Sequence, residues 1–173
     1  MLAAVTREDL VDRVRAILDG EGTLPEKLTL VAGAAAEAFE AERAWVAVEK
    51  GGELWTVGGI SMVLADPRHG PLPASAGIIG RAVRTGRTQR VGDVHADPDY
   101  VAAVALTRSE LAVPVLHPDA GDGPAVPAVP AVPAVGVLNV EANRLNAFGP
   151  AEAAIGERVA VLLAPHLLRW KNS

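Results

Sequence analysis

Apolar residues along this chain repeat with two periods, and each change of period marks a new element. Leu10, Val14, Ile17 and Leu18 fall at i, i+4, i+7 and i+8, lining one face of a first helix that Thr6 can cap and Gly20 to Gly22 end. Thr23-Leu-Pro-Glu26 has the form of a capping box with proline in the first turn. It opens a second helix striped by Leu28, Val31, Ala35, Ala38 and Phe39. Beyond it, Trp45 to Glu49 and Glu53 to Val57 flank Gly51-Gly52 and read as a hairpin, whose tight turn needs the positive φ that glycine accepts.

Pro67, Pro71, Pro73, Gly70 and an isolated His69 interrupt any period between Gly58 and Ser75, which predicts a mobile flap. Ser75 is placed to cap a short helix running through Arg84 and closed by Gly86, and Thr88 to Val91 reads as a strand. Asp97-Pro98 predicts another short helix over 98–104, with the aspartate as cap. Ser109 to Leu116 then alternates, putting Ser109, Leu111, Val113 and Val115 on one face and Glu110, Ala112, Pro114 and Leu116 on the other. Val135 to Glu141 is its natural antiparallel partner. Pro150 opens a last helix with Ile155, Val159, Leu162, Leu163, Leu167 and Trp170 on its stripe, and Pro165 is expected to kink it so that its end leaves the core. The sum is one α+β domain over 1–173. It has an antiparallel sheet of about five to six strands, terminal helices on one face, and short helices covering a ligand cavity on the other.

Composition narrows the function. At 173 residues and 50% hydrophobic the chain buries one core. A net charge of −5 offers no basic field to a nucleic acid, and Arg84, Arg87 and Arg90 are enough only to solvate a helix end. The apolar stretch Leu2 to Val5 stops at Arg7, Glu8 and Asp9, too short for a signal-peptide core, so a cytoplasmic setting is expected. The run 123–140 is long and uncharged, but prolines break it, so no membrane span is predicted. Within the loop 118–134, Pro-Ala-Val recurs four times with the three-residue period of polyproline II. It is either a docking strip or a slippage-expanded loop; no Lys or Arg flanks it to orient a partner.

Candidate chemistry centres on carboxylates. Glu110 interrupts an apolar strand, where an unpaired charge is costly. It either holds an amine, guanidinium or ring N–H of a ligand, or bonds backbone amides and water. Asn139 and Glu141 share a face of the last strand, where Glu141 lines a cavity rim or ends the sheet in solvent. Asp93-x-His95-x-Asp97 lacks metal-ligand spacing; Asp97 reads as a cap, and Asp93 or His95 as a ligand hydrogen-bonding group. His69, His117 and His166 stand alone, and Ser75, Thr107 and Ser109 have no triad partner nearby in sequence. No metal site and no catalytic residue is assigned.

Gly77-Ile-Ile-Gly-Arg-Ala-Val-Arg-Thr-Gly86, Asp93-Val-His-Ala-Asp-Pro-Asp-Tyr100, Ser109-Glu-Leu-Ala-Val-Pro114 and Gly136-Val-Leu-Asn-Val-Glu141, in that order and at that spacing, resemble a GAF domain. The likeness spans roughly 24–168 and leaves 1–22 as an N-terminal helix; it implies a GAF/PAS-like sheet and a small-molecule cavity. The pattern is most similar to the free methionine-(R)-sulfoxide reductases, in which cysteines stand where this chain has Ile79 and, in or beside the 98–104 segment, Ala103 or a neighbour. The chain contains no cysteine, so the thiolate attack and thiol resolution that chemistry needs are missing from it. The resemblance therefore implies a pocket with Ile79, Asp93, His95, Tyr100, Ser109, Glu110 and Glu141 as candidate contacts. The expected function is a non-catalytic sensory module for an unidentified small molecule, dimeric through its terminal helices and acting on a partner in trans. The alternatives are an interaction domain with a filled cavity and a thiol-independent enzyme. Cofactor identity is unassigned.

Overall fold

The computed structural model describes residues 4–61, 70–102, 104–119 and 134–173. His69, Ala103 and the Pro-Ala-Val repeat from 124 to 133 lie outside them, as does the middle of the expected flap, residues 62–69. The elements run α1 (Leu10–Asp19), α2 (Leu24–Ala38), β1 (Arg43–Lys50), β2 (Glu53–Ile60), β3 (Leu72–Pro73), α3 (Gly77–Thr85), β4 (Gln89–Val91), a single 3-10 turn at Val94–Ala96, β5 (Ser109–Leu116), β6 (Ala134–Ala142) and α4 (Pro150–Lys171).

Local signals set most boundaries. The Thr23 side chain accepts the Glu26 amide while the Glu26 carboxylate accepts the Thr23 amide at 2.8 Å, the reciprocal pair of a capping box. Gly51 and Gly52 turn the β1–β2 hairpin at φ of 65° and 83°. Other boundaries move. Thr6 Oγ1 accepts the Asp9 amide at 3.3 Å in a turn before α1, so the α-helix itself starts later, at Leu10. Gly58 to Ile60 extend β2, and Leu72–Pro73 adds an edge strand to it, so both leave the expected flap. The Ala76 amide closes a turn on the Pro73 carbonyl, which puts Ala76, not Ser75, ahead of α3.

The helix expected over 98–104 does not form in its described residues. The chain makes the 3-10 turn at Val94–Ala96 instead; Asp97 does accept the Asp99 amide at 2.9 Å as a cap would, but Arg81 also meets both its carboxylate oxygens at 2.7 and 3.0 Å, and no helix follows. α4 also stays on the core past Pro165. That residue is exposed, so the carbonyl its missing N–H leaves free faces water, while Leu167 remains fully buried. Lys171 bonds Glu49, and the Lys50 ammonium sits 5.9 Å from the Trp170 ring, tying the helix end to β1.

The six strands form one antiparallel sheet in the order β3-β2-β1-β6-β5-β4. Alternation sends Val46, Val48, Leu111, Val113, Leu138 and Val140 to one face under α2 and α4, with α1 laid across those two helices. Trp45, Ala47, Ala112 and Val137 go to the other face, against Ile78, Ile79 and Ala82 of α3 and the buried Val94. No helix among the described residues is long and apolar enough to cross a membrane.

Candidate functional site

The α3-covered face is not wholly apolar. Two adjacent rungs carry polar side chains. In one, Arg43 of β1 pairs with Glu141 of β6, which pairs with Glu110 of β5. In the next, Trp45 stands opposite Asn139, and Asn139 opposite Ala112. All five of the polar side chains are buried.

Arg43 and Glu141 form a satisfied pair. Arg43 Nε donates to Glu141 Oε2 at 3.1 Å, its Nη2 donates to Thr107 Oγ1 at 2.9 Å, and Thr107 Oγ1 donates on to the same Oε2 at 2.9 Å. Asn143 Oδ1 accepts a further bond from Arg43. A buried carboxylate fixed by a guanidinium and a hydroxyl has its charge balanced in place.

Glu110 differs. Burial, and then the Glu141 charge across the rung, push its carboxyl well above the usual carboxylate range. The Asn139 amide opposes part of that shift without forming a hydrogen bond. Glu110 thus favours its neutral form, which can donate as well as accept. Tyr100 reaches over the same rungs from the 93–100 segment, and its hydroxyl is raised by burial and by the Glu141 charge.

In the second rung, the Trp45 indole N–H and both polar atoms of the Asn139 side chain are buried without a hydrogen-bond partner among the described residues. Leaving such a group unpaired costs about 1–3 kcal/mol. Three unpaired atoms on adjoining residues, beside a carboxyl whose pKa is pushed upward, make a polar lining that no described residue satisfies.

The residues singled out from sequence divide. Glu110, Glu141, Tyr100 and Ile79 come together on this face. Ser109 does not: alternation turns it to the helical face, where its hydroxyl donates to the Arg144 carbonyl at 2.7 Å. Asp93 is half-exposed and accepts the His95 amide at 3.2 Å. His95 is exposed and touches the site only through an edge contact of its ring with Tyr100 at 5.8 Å. Arg43 and Trp45 were not singled out, although their i, i+2 spacing on β1 is the available signal; the register that sets them beside β6 is not local. Among the described residues no cluster of His, Asp and Glu is arranged to hold a metal ion.

A groove of about 660 Å³ lies elsewhere, between α4 and the end of β5. Its walls include Pro114, Leu116, Ala160, Val161, Ala164 and Pro165 and none of the buried unpartnered atoms.

With this topology the sequence matches the GAF domain family model over residues 23–167, and the chain belongs to that family. Among solved structures it is similar to the free methionine-R-sulfoxide reductase of Neisseria meningitidis in complex with its substrate, at 23% identity and TM-score 0.75 over 96% of this chain and 90% of that one. The fRMsr of Staphylococcus aureus, also in complex with substrate, matches at 19% identity and TM-score 0.73 over 96% and 99%. The GAF domain of a phosphoenolpyruvate-protein phosphotransferase from Coxiella burnetii matches at 16% identity and TM-score 0.77 over 99% and 98%. At these identities the likeness establishes the fold. No curated protein sequence matches the chain.

Proposed function

We propose that this GAF domain is a cytoplasmic, non-catalytic sensory module that binds a small polar molecule between the sheet and α3 and signals the bound state to a partner chain. The carrying observation is the set of orphaned atoms, Trp45 Nε1 and the Asn139 amide, beside Glu110. The electrostatics support an uncharged or zwitterionic ligand: the Glu141 charge is already balanced by Arg43, and Glu110 favours neutrality. Such a ligand offers an acceptor to the indole and amide N–H groups and a donor to Asn139 Oδ1. The absence of cysteine supports binding over the reductase chemistry of two of the relatives.

Native mass spectrometry of the purified protein tests this, with Asn139→Leu as the comparison. Leucine fills the same space without polar atoms. The expected result is a small molecule bound to the parent protein and lost from the variant, while the ligand-free variant unfolds with about 1–3 kcal/mol more stability because two unpaired groups are gone. An empty parent protein together with a destabilised variant would mean that Asn139 is a structural residue and would remove the reading.

A further inference from the structure

The roof of this site is a short segment held chiefly at two points, with a half-exposed Arg108–Asp93 ion pair at 4.0 Å beside the first. Among the described residues, the backbone of residues 93–100 reaches the rest of the fold through one hydrogen bond, from the Val94 amide to the Arg108 carbonyl at 2.9 Å. Its other backbone bonds are internal: Ala96 to Asp93, Asp97 to Val94 and Tyr100 to Asp97. Val94 is buried against α3 and the sheet and acts as the apolar anchor. The second point is Arg81. Its guanidinium takes Asp97 through Nη1 and Nη2 at 3.0 and 2.7 Å, reaches Asp99 at 2.8 Å, and donates from Nε to Gln89 of β4 at 2.8 Å. One side chain of α3 therefore fixes the segment to the helix and to the sheet edge, just before Tyr100 extends over Glu110 and Glu141. The bidentate pair holds the segment's orientation as well as its position, which a single-point ammonium does not. The bridge borders a surface groove of about 380 Å³ that Asp93 and Pro98 also line, so it lies on the solvent side of the roof.

We propose that Arg81 is a positioning residue whose bridge to Asp97 bolts the 93–100 segment, with Tyr100, over the polar rungs, and that releasing the bridge opens the site to small molecules. The inference rests on reading those rungs as a ligand cavity, but its test needs no ligand. In a Trp55→Phe/Trp170→Phe background Trp45 is the one remaining indole, and it is only 7% exposed. Acrylamide quenching of Trp45 then reports access to the site, and amide hydrogen exchange reports which backbone has opened. Arg81→Met and Asp97→Asn are each expected to raise the quenching constant several-fold and to speed exchange at Asp97 and Tyr100. The central amides of β1 and β6 should exchange as slowly as before, the signature of local opening.

Faster exchange at Asp97 and Tyr100 with unchanged quenching would overturn the proposal, because the segment would then not shield the site. No change in either measurement would overturn it equally. Should Arg81→Met speed core exchange too, Arg81→Lys decides, since it keeps the charge and most of the stem. Selective opening with lysine sustains the proposal, and general opening with lysine overturns it by making the bridge a support of the whole fold. An empty parent protein together with a destabilised Asn139→Leu variant would defeat the functional reading while leaving the quenching result to judge the bolt separately.

Discussion

Two glutamates facing each other across one rung have opposite characters because their partners differ. Glu141 is met by Arg43 and Thr107, whereas no backbone amide among the described residues bonds Glu110. The groups acting on Glu110 are Glu141, Asn139, Asp97 and Arg81, with Tyr100 and Arg43 beside Glu141; burial dominates and the shift is upward. Since the native state then holds this proton more tightly than the unfolded chain, its contribution to stability is fully present below about pH 4.5, the ordinary glutamate value. It is lost as pH climbs from there toward the raised native value. Glu110→Gln, a neutral near-isostere, should remove that decline: urea unfolding across pH 5 to 9 is expected to give a flatter stability profile for the variant and a smaller deficit at the alkaline end. A variant profile parallel to the parent's would mean Glu110 is ionised in the fold. Below pH 4.5 the slope reverses, because Asp97 is held low by Arg81, Glu49 by Lys171, and Glu152 by its own amide, the Gly149 amide and Arg7, and each loses stabilisation on protonation. Glu110 was legible in the sequence as a charge out of place in an apolar strand. That burial without a partner would cost energy or neutralise it was legible too; the direction taken depends on the β5–β6 register and on Arg43 reaching Glu141 first.

The elements that sequence predicts well are those whose causes lie within a few residues. The α2 capping box, the Gly51-Gly52 turn and the alternation of β5 are of this kind, and each appears where its pattern stands. The segment after Asp97 fails for the opposite reason. Its local signal favours a helix, and Asp97 does accept the Asp99 amide, but Arg81, distant in sequence, binds the same carboxylate and the cap is not followed by a helix. Pro165 misleads similarly, since its outward placement, rather than the residue itself, decides whether a helix leaves the core. Gly136 shows a further kind of information that a motif contains without explaining. A Cβ there would lie 2.2 Å from the Ala47 carbonyl oxygen and 2.9 Å from Leu167 Cδ1, so β6 can sit between β1 and α4 only with no side chain at that position. Gly136→Ala is expected to destabilise the domain by about 1–3 kcal/mol or more through overpacking. A denaturation midpoint within error of the parent's would show that β1 and α4 can yield at that point.

At the scale of the whole molecule, most of the apolar surface that suggests a dimer is spent inside one chain. Leu10, Val14 and Leu18 of α1 and Val159, Leu163 and Leu167 of α4 are buried within the subunit. What remains outward on α4 is Val161, 72% exposed, standing at the edge of the groove that Pro114, Leu116, Ala164 and Pro165 wall. We propose that two copies associate there about a two-fold axis, each inserting Val161 toward the other's groove, since an isologous contact needs one patch that is both knob and hole. The patch is narrow, so the association should be weak and should appear only as concentration rises. Sedimentation velocity over a dilution series is expected to show the parent protein shifting toward dimer. Val161→Glu should remain a monomer throughout, because it sets two carboxylates against each other at the axis while leaving the core of α4 unchanged. A parent protein that stays monomeric at high micromolar concentration would remove the dimer.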